Sequence, residues 1–162
     1  MRAGCRPLPA RRTQVRDYMK RILTVALLLF LPGYSHAVEV ESIGVHLFYN
    51  ESGSFSENIL EAEEFVLWNV IVGGGSAAEP SDRLLVKVRL KGPKDTYATA
   101  PVELTVRAVE SEDVLYAETY AGFQFAETGT AYRASMIAGH NCQPLVIEAG
   151  TVRRIVPFRC GE

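Results

Sequence analysis

The chain has 162 residues, with 17 Lys or Arg against 19 Asp or Glu, so its formal net charge at pH 7 is −2. This length fits one ordinary domain that can bury a core of its own. No apolar run reaches the roughly 20 residues that a membrane-spanning helix needs, so the sequence predicts no integral membrane segment.

Residues 19–37 have the three parts of a cleavable secretory signal peptide. Two basic residues at the start are followed by an apolar run over residues 22–31, which a Pro-Gly pair ends. Ser35 and Ala37 then supply the small side chains that are needed three residues and one residue before the cut. We therefore expect cleavage after Ala37 and a periplasmic or secreted protein, while the host stays undetermined.

The 18 residues before this signal carry five arginines and one aspartate. A signal peptide normally lies at the start of a chain, so one interpretation is an over-long start with Met19 as the true initiator. The alternative is a disordered basic arm that is translated with the rest, and the sequence leaves both open.

Cleavage would change the charge balance, because the removed part holds seven basic residues and one acidic residue. The mature domain, residues 38–162, would carry 10 basic and 18 acidic residues, a net charge of −8. A field of this sign disfavours nucleic acid and anionic membranes as partners. The same charge is compatible with a soluble monomer or with a basic partner, and we expect the partner to be an unknown protein or a small ligand.

Apolar and polar residues alternate through most of the mature domain, which is typical of half-buried β-strands. The clearest case is residues 84–91, where four aliphatic side chains share one face. Residues 65–72 are almost entirely apolar and predict a strand buried on both faces, with Trp68 in the core. In chain order, the predicted strands are residues 43–49, 65–72, 84–91, 102–108, 115–120, 132–138, 145–148 and 152–159.

Turn-forming residues separate these strands, and one segment is ambiguous. Ser54 and Glu57 have the spacing of a capping box, so residues 55–64 predict one turn of helix, although they also suit a solvated acidic loop. Many short strands with regular turns predict an all-β fold. We expect a single immunoglobulin-like antiparallel β-sandwich of about seven to nine strands over residues 38–162.

The last two cysteines predict a disulfide. Cleavage removes the first cysteine and leaves Cys142 and Cys160 as an even pair in an oxidising compartment. A hairpin with a three-residue turn would place Ala149 opposite Arg153. The same register places Cys142 opposite Cys160, at a separation that suits a cross-strand bridge. Pro157 requires the last strand to lie at an edge or to bulge.

No arrangement of residues predicts catalysis, a cofactor or a metal site. The sequence lacks a Gly-x-Ser-x-Gly elbow, and its acidic residues are too many for one carboxylate pair to stand out. His46 alternates with apolar neighbours as a solvent-facing residue does, so we expect no metal site from His46 and His140. An alternative is an exported enzyme or copper-binding protein, since cleavage after Ser35 would leave His36 as an N-terminal copper ligand.

The sequence therefore favours a non-catalytic binding or accessory role, with a specificity that it does not indicate. Loops at the ends of a sandwich carry most binding, and the first to consider are residues 73–82 and 92–100. The candidate binding residues in and beside these loops are Gly74, Asp82, Asp95 and Tyr97.

Overall fold

A computed structural model describes residues 37–62, 65–68, 73–139 and 143–160, with residue 160 described for its backbone alone. This part of the chain is all-β, as predicted, with one 3₁₀ turn (Ile59–Glu61) and no α-helix. None of its segments is a helix that could cross a membrane. The strands are β1 (Glu39–Phe48), β2 (Val66–Leu67), β3 (Arg83–Lys91), β4 (Thr96–Ala98), β5 (Val102–Ala108), β6 (Val114–Tyr120), β7 (Phe123–Phe125), β8 (Thr130–Ala138), β9 (Leu145–Ala149), β10 (Val152–Val156) and β11 (Arg159–Cys160).

The strands form several sheets, most of them antiparallel. One sheet has three strands in the order β1-β3-β8, and another has four in the order β10-β9-β5-β6. Strands β4 and β7 form a short antiparallel pair, whereas β11 and β2 pair in parallel. The predicted signal peptide and the residues before it lie outside the described part, except for Ala37.

The core follows the alternation read from the sequence. Every second side chain of β3, from Leu84 to Leu90, has 0% of its surface exposed. Leu104 and Val106 of β5, in the other large sheet, are equally buried and belong to the same hydrophobic cluster. Burial of each such side chain stabilises the folded chain by about 1.5–3 kcal/mol. The alternating apolar faces of β3 and β5 therefore supply much of the hydrophobic stabilisation of the fold.

Two short strands escaped prediction. β4 and β7 have three residues each, which is too few for a period of two to be recognised. Phe123 and Phe125 of β7 are fully buried. A Cβ on Gly92 would lie 2.6 Å from the Phe125 ring, so this glycine lets the chain approach the ring closely.

The final hairpin is present, but its predicted register is wrong by one residue. Ala149 pairs with Val152 rather than with Arg153, so the turn has two residues instead of three. Gly150 has a φ of +53° and Thr151 has a negative one, the combination of a type II′ turn, which matches the twist of the flanking strands. A two-residue turn therefore replaces the longer loop.

The same hairpin ends before the cysteines. β10 lies at the edge of its sheet and ends at Val156, immediately before Pro157, as the missing proline N–H requires. The chain then leaves the hairpin, because β11 pairs with β2. The register argument for facing Cys142 with Cys160 therefore fails. Cys142 itself lies outside the described residues, so the disulfide stays a prediction.

The structure decides part of what the sequence left open for residues 55–64 and 65–72. The helical turn spans Ile59–Glu61 and begins at Asn58, so the predicted capping box of Ser54 and Glu57 is wrong. At the residue that caps a helical turn, an asparagine side chain accepts a hydrogen bond from a backbone N–H about as readily as a serine side chain does. Of the strand predicted over 65–72, β2 is described, and residues 69–72 lie outside the described part.

Candidate functional site

The outer edge of β1 is covered by polar side chains from the segment that follows it. Asn58 Oδ1 accepts a hydrogen bond from Val45 N at 2.9 Å, and Ser56 Oγ accepts one from Leu47 N at 2.9 Å. Asn58 Nδ2 also donates to Glu61 Oε1 at 2.9 Å. Residues 56–61 are thereby held against the edge strand and form one wall of a groove on its outer face.

His46 lies on the outer face of β1 beside this wall. Its Nδ1 is 2.9 Å from the carbonyl oxygen of Ser56, which can only accept, so Nδ1 carries the hydrogen. In the neutral ring, Nε2 then holds the free lone pair. Nε2 faces Gly44, because a Cβ on that glycine would lie 3.5 Å from it. His46 is half-buried, in partial agreement with the solvent-facing position predicted for it.

Lys87 is the cation at the centre of this face. In the sheet register it lies between Gly44 of β1 and Ala134 of β8, two small residues that leave its side chain room to move. Its ammonium lies 6.0 Å from the centroid of the Tyr132 ring, at the limit of a cation–π contact. Lys87 has no ion pair with any residue that the structure describes.

These side chains line a groove of about 510 Å³, which we call the Lys87 groove. Arg89 stands at its border and pairs with Glu41 at 2.8 Å, so its charge is already partly compensated. The arrangement offers a ligand the ammonium of Lys87 as a charged donor, which suits a carboxylate, and the lone pair of His46 Nε2 as an acceptor. The lining residues are Ser42, Ile43, Gly44, His46, Asn58, Leu60, Glu61, Lys87, Arg89, Tyr132, Arg154 and Ile155.

A second polar cluster, which we call the polar seam, lies between β6 and β8 on the core side of both strands. Tyr116 donates to Glu118 Oε2 at 2.6 Å, and Ser135 donates to the same oxygen. Tyr120 and Ser135 share a hydrogen bond of 2.6 Å between their hydroxyl oxygens. Ser135 is 5% exposed, so its hydroxyl joins the two strands and is closed to a substrate.

The protonation of the polar seam follows from these contacts. Hydrogen bonds from Ser135 and Tyr116 hold the pKa of the Glu118 carboxyl below its usual value. Burial raises the pKa of the Tyr120 hydroxyl, and the hydrogen bond with Glu118 raises that of Tyr116. At neutral pH the seam therefore contains one carboxylate and neutral hydroxyls, which is a stable donor–acceptor set.

The structure separates the candidate residues that the sequence suggested. Gly74 and Asp82 precede β3, whereas Asp95 and Tyr97 follow it. A nine-residue strand spans about 30 Å, so the two pairs lie at opposite ends of the sheet and do not form one site. Tyr97 is 60% exposed, and its hydroxyl approaches Gly122.

A larger depression of about 860 Å³ lies over β5, β9 and β10. It begins at Ala37, the first described residue, and its charged groups partly neutralise each other, since Arg153 lies 3.4 Å from Glu148. Across the described ranges no three metal-binding side chains gather, while His36 and His140 fall outside those ranges.

Sequence reasoning placed Lys87 and Tyr132 in strands but did not propose them as a site. Their signal was the alternation itself, which puts both on the polar face of neighbouring strands. What the pattern lacked was the register that sets Gly44 beside Lys87.

No protein-family model matches the chain, and comparison with curated proteins gives no significant match.

Proposed function

We propose that the chain is an exported, non-catalytic, immunoglobulin-like β-sandwich that binds an acidic segment of a partner protein in the Lys87 groove. Export rests on the signal-peptide features of residues 19–37. The observation that carries the binding function is the Lys87 ammonium, which makes no ion pair with any described residue and lies in a groove that Gly44 and His46 also line.

The strand order supports the immunoglobulin-like interpretation. Counting β1, β3, β5, β6, β8, β9 and β10 as seven strands, one sheet joins the first, second and fifth. The other joins the seventh, sixth, third and fourth. An immunoglobulin constant domain has the same neighbours except that its fourth strand joins the first sheet. Inner residues of both sheets share one buried cluster, as the two layers of a sandwich do.

The local charge of the groove favours an acidic ligand although the mature domain is negative as a whole, because Lys87, Arg89 and Arg154 line the groove against one carboxylate, Glu61. His46 lies diagonally across the sheet from Lys87, at a spacing of about 7–8 Å, so a carboxylate that accepts from the Lys87 ammonium comes to lie beside the imidazole ring. Arg154 adds a further cation at the border, and its own described contact is to the carbonyl oxygen of Arg153. Apolar walls at Leu60 and Ile155 suit a peptide better than a free ion.

Binding of a fluorescein-labelled decaglutamate peptide, followed by fluorescence anisotropy at low salt, tests this proposal. We expect Lys87→Glu to weaken binding at least tenfold, because it replaces the central donor by a repelling carboxylate, a change of about 1.4 kcal/mol or more. The matched control is Lys94→Glu, which makes the same charge change at an exposed lysine outside the groove.

Binding by the control should stay within about twofold of the parent, and added salt should weaken the parent's binding. Equal losses in both variants would mean that the peptide responds to the total number of positive charges and not to their position, and this would refute a site at Lys87. No binding by the parent chain would refute the acidic-ligand proposal itself.

A further inference from the structure

Strand edges differ in how they are protected. The β1 edge is covered by Ser56 and Asn58, as described above. The β8 edge is more open, because residues 131–138 make no backbone hydrogen bond outside the sheet to any other described residue. An unpaired edge of this length is a template for another strand.

The direction of the backbone groups that face away from β3 can be read from one contact. Arg133 Nη1 donates to the carbonyl oxygen of Tyr132 at 3.2 Å, so this oxygen points away from β3. Because backbone groups alternate along a strand, the outward N–H and C=O groups belong to the even-numbered residues of β8. Their side chains lie on the outer face, where Tyr132 is 53% and Met136 is 41% exposed.

We propose that β8 pairs antiparallel with β8 of a second copy of this chain, about a two-fold axis at Ala134. This register places Tyr132 opposite Met136 of the second copy, and the two-fold axis forms that pair twice. A thioether against an aromatic ring is a favourable contact, and both side chains leave water. The inference goes beyond the proposed function and does not depend on it.

The opposite face favours this register over one of its two neighbouring registers. Arg133 comes to lie opposite Ser135 of the second copy, and thus beside the Glu118 carboxylate that Ser135 contacts. The Arg133 guanidinium donates to the Gly122 carbonyl oxygen and lies 5.0 Å from the Phe123 ring centroid, and neither contact neutralises its charge. Glu118 has no ion pair among the described residues, so the two charges are of complementary sign across the axis. A shift of one register step in one direction places Arg133 opposite itself, which like charges disfavour.

Oxidative cross-linking of cysteine variants of the purified chain tests the register. Ala134→Cys places two thiols opposite each other across the axis, with Cα atoms about 5.5 Å apart, within reach of a disulfide. The control is Thr130→Cys on the same strand, which faces Ala138 of the second copy instead of itself. We expect a linked dimer for Ala134→Cys, with peptide mass spectrometry identifying the 134–134 link, and none above background for Thr130→Cys.

Sedimentation velocity tests the dimer without a cross-link. We expect the parent to sediment as a dimer and Ala134→Lys as a folded monomer, since two ammonium groups would meet at the axis. Val114→Lys is the control, because it adds the same charge at an exposed residue of the other edge strand, β6. A monomeric parent, an Ala134→Lys dimer or equal cross-linking at positions 130 and 134 would overturn the proposal.

Discussion

At the residue scale, two glycines differ in what surrounds them. Gly44 has extended backbone, and a Cβ there would meet its nearest neighbour at 3.5 Å, an ordinary contact. A Cβ on Gly75 would lie 2.6 Å from the carbonyl oxygen of Leu67, which is backbone and cannot move aside easily. The first glycine keeps the Lys87 groove open, whereas the second permits a close approach of two chain segments.

Alanine substitutions should therefore have opposite effects on stability. Gly44→Ala should raise the free energy of unfolding by about 0.5–1 kcal/mol, because glycine weakens a strand interior. Gly75→Ala should lower it by about 1–3 kcal/mol, because the new methyl group overpacks the backbone. Urea unfolding measures both. A clear loss of stability in Gly44→Ala would contradict the open floor of the groove.

Glu118 makes stability depend on pH. Its pKa lies below the ordinary value of 4.5 in the folded chain, so its contribution is present above that value and is lost as the pH falls through the folded pKa. Glu118→Gln cannot ionise. The fall in Tm between about pH 6 and pH 3 should therefore be smaller in this variant than in the parent.

Glu127→Gln serves as the matched control, since this exposed carboxyl makes no described hydrogen bond. It should leave the pH dependence close to that of the parent. If Glu118→Gln and Glu127→Gln change the profile equally, the hydrogen bonds of the polar seam do not set the acid response.

At the scale of elements, the sequence predicted most strands, whereas it misplaced the start of the 3₁₀ turn and the register of the last hairpin. The alternation in β3 and β5 specifies both the element and its buried face, because a one-residue slip would expose every apolar side chain. Asn58 carries no comparable signal. Its role depends on Val45, 13 positions earlier in the chain, and no local pattern records a partner at that distance. The hairpin register failed for a related reason, since one residue of turn length decides it.

The Asn58 contact yields a prediction about the edge of β1. Asn58→Ala should destabilise the fold by about 1–2 kcal/mol, because the Val45 N–H and the start of the 3₁₀ turn both lose their acceptor. Asn50→Ala is the control at an exposed asparagine whose side chain makes no described hydrogen bond, and it should stay within about 0.5 kcal/mol. Thermal or urea unfolding measures both, and equal effects would refute the edge contact.

At the scale of the whole molecule, the sequence predicted the fold class but not the site. The all-β class follows from the alternation of apolar and polar residues. This pattern recurs in many segments, so an error in predicting one of them does not change the fold class. The Lys87 groove is instead assembled by register, with Gly44, Lys87 and Ala134 forming one row across three strands. The loops favoured from sequence lie at opposite ends of β3, because sequence distance does not reveal which end of a strand a loop occupies.

The most direct test of the central claim, an acidic ligand in the Lys87 groove, is an ¹⁵N NMR titration of the purified chain with decaglutamate. The account predicts that the amide shifts that move most belong to Gly44, His46 and Lys87, with the residues around Tyr97 unchanged. Shifts that move instead at the loops of residues 73–82 or 92–100, or uniformly over all basic residues, would contradict it.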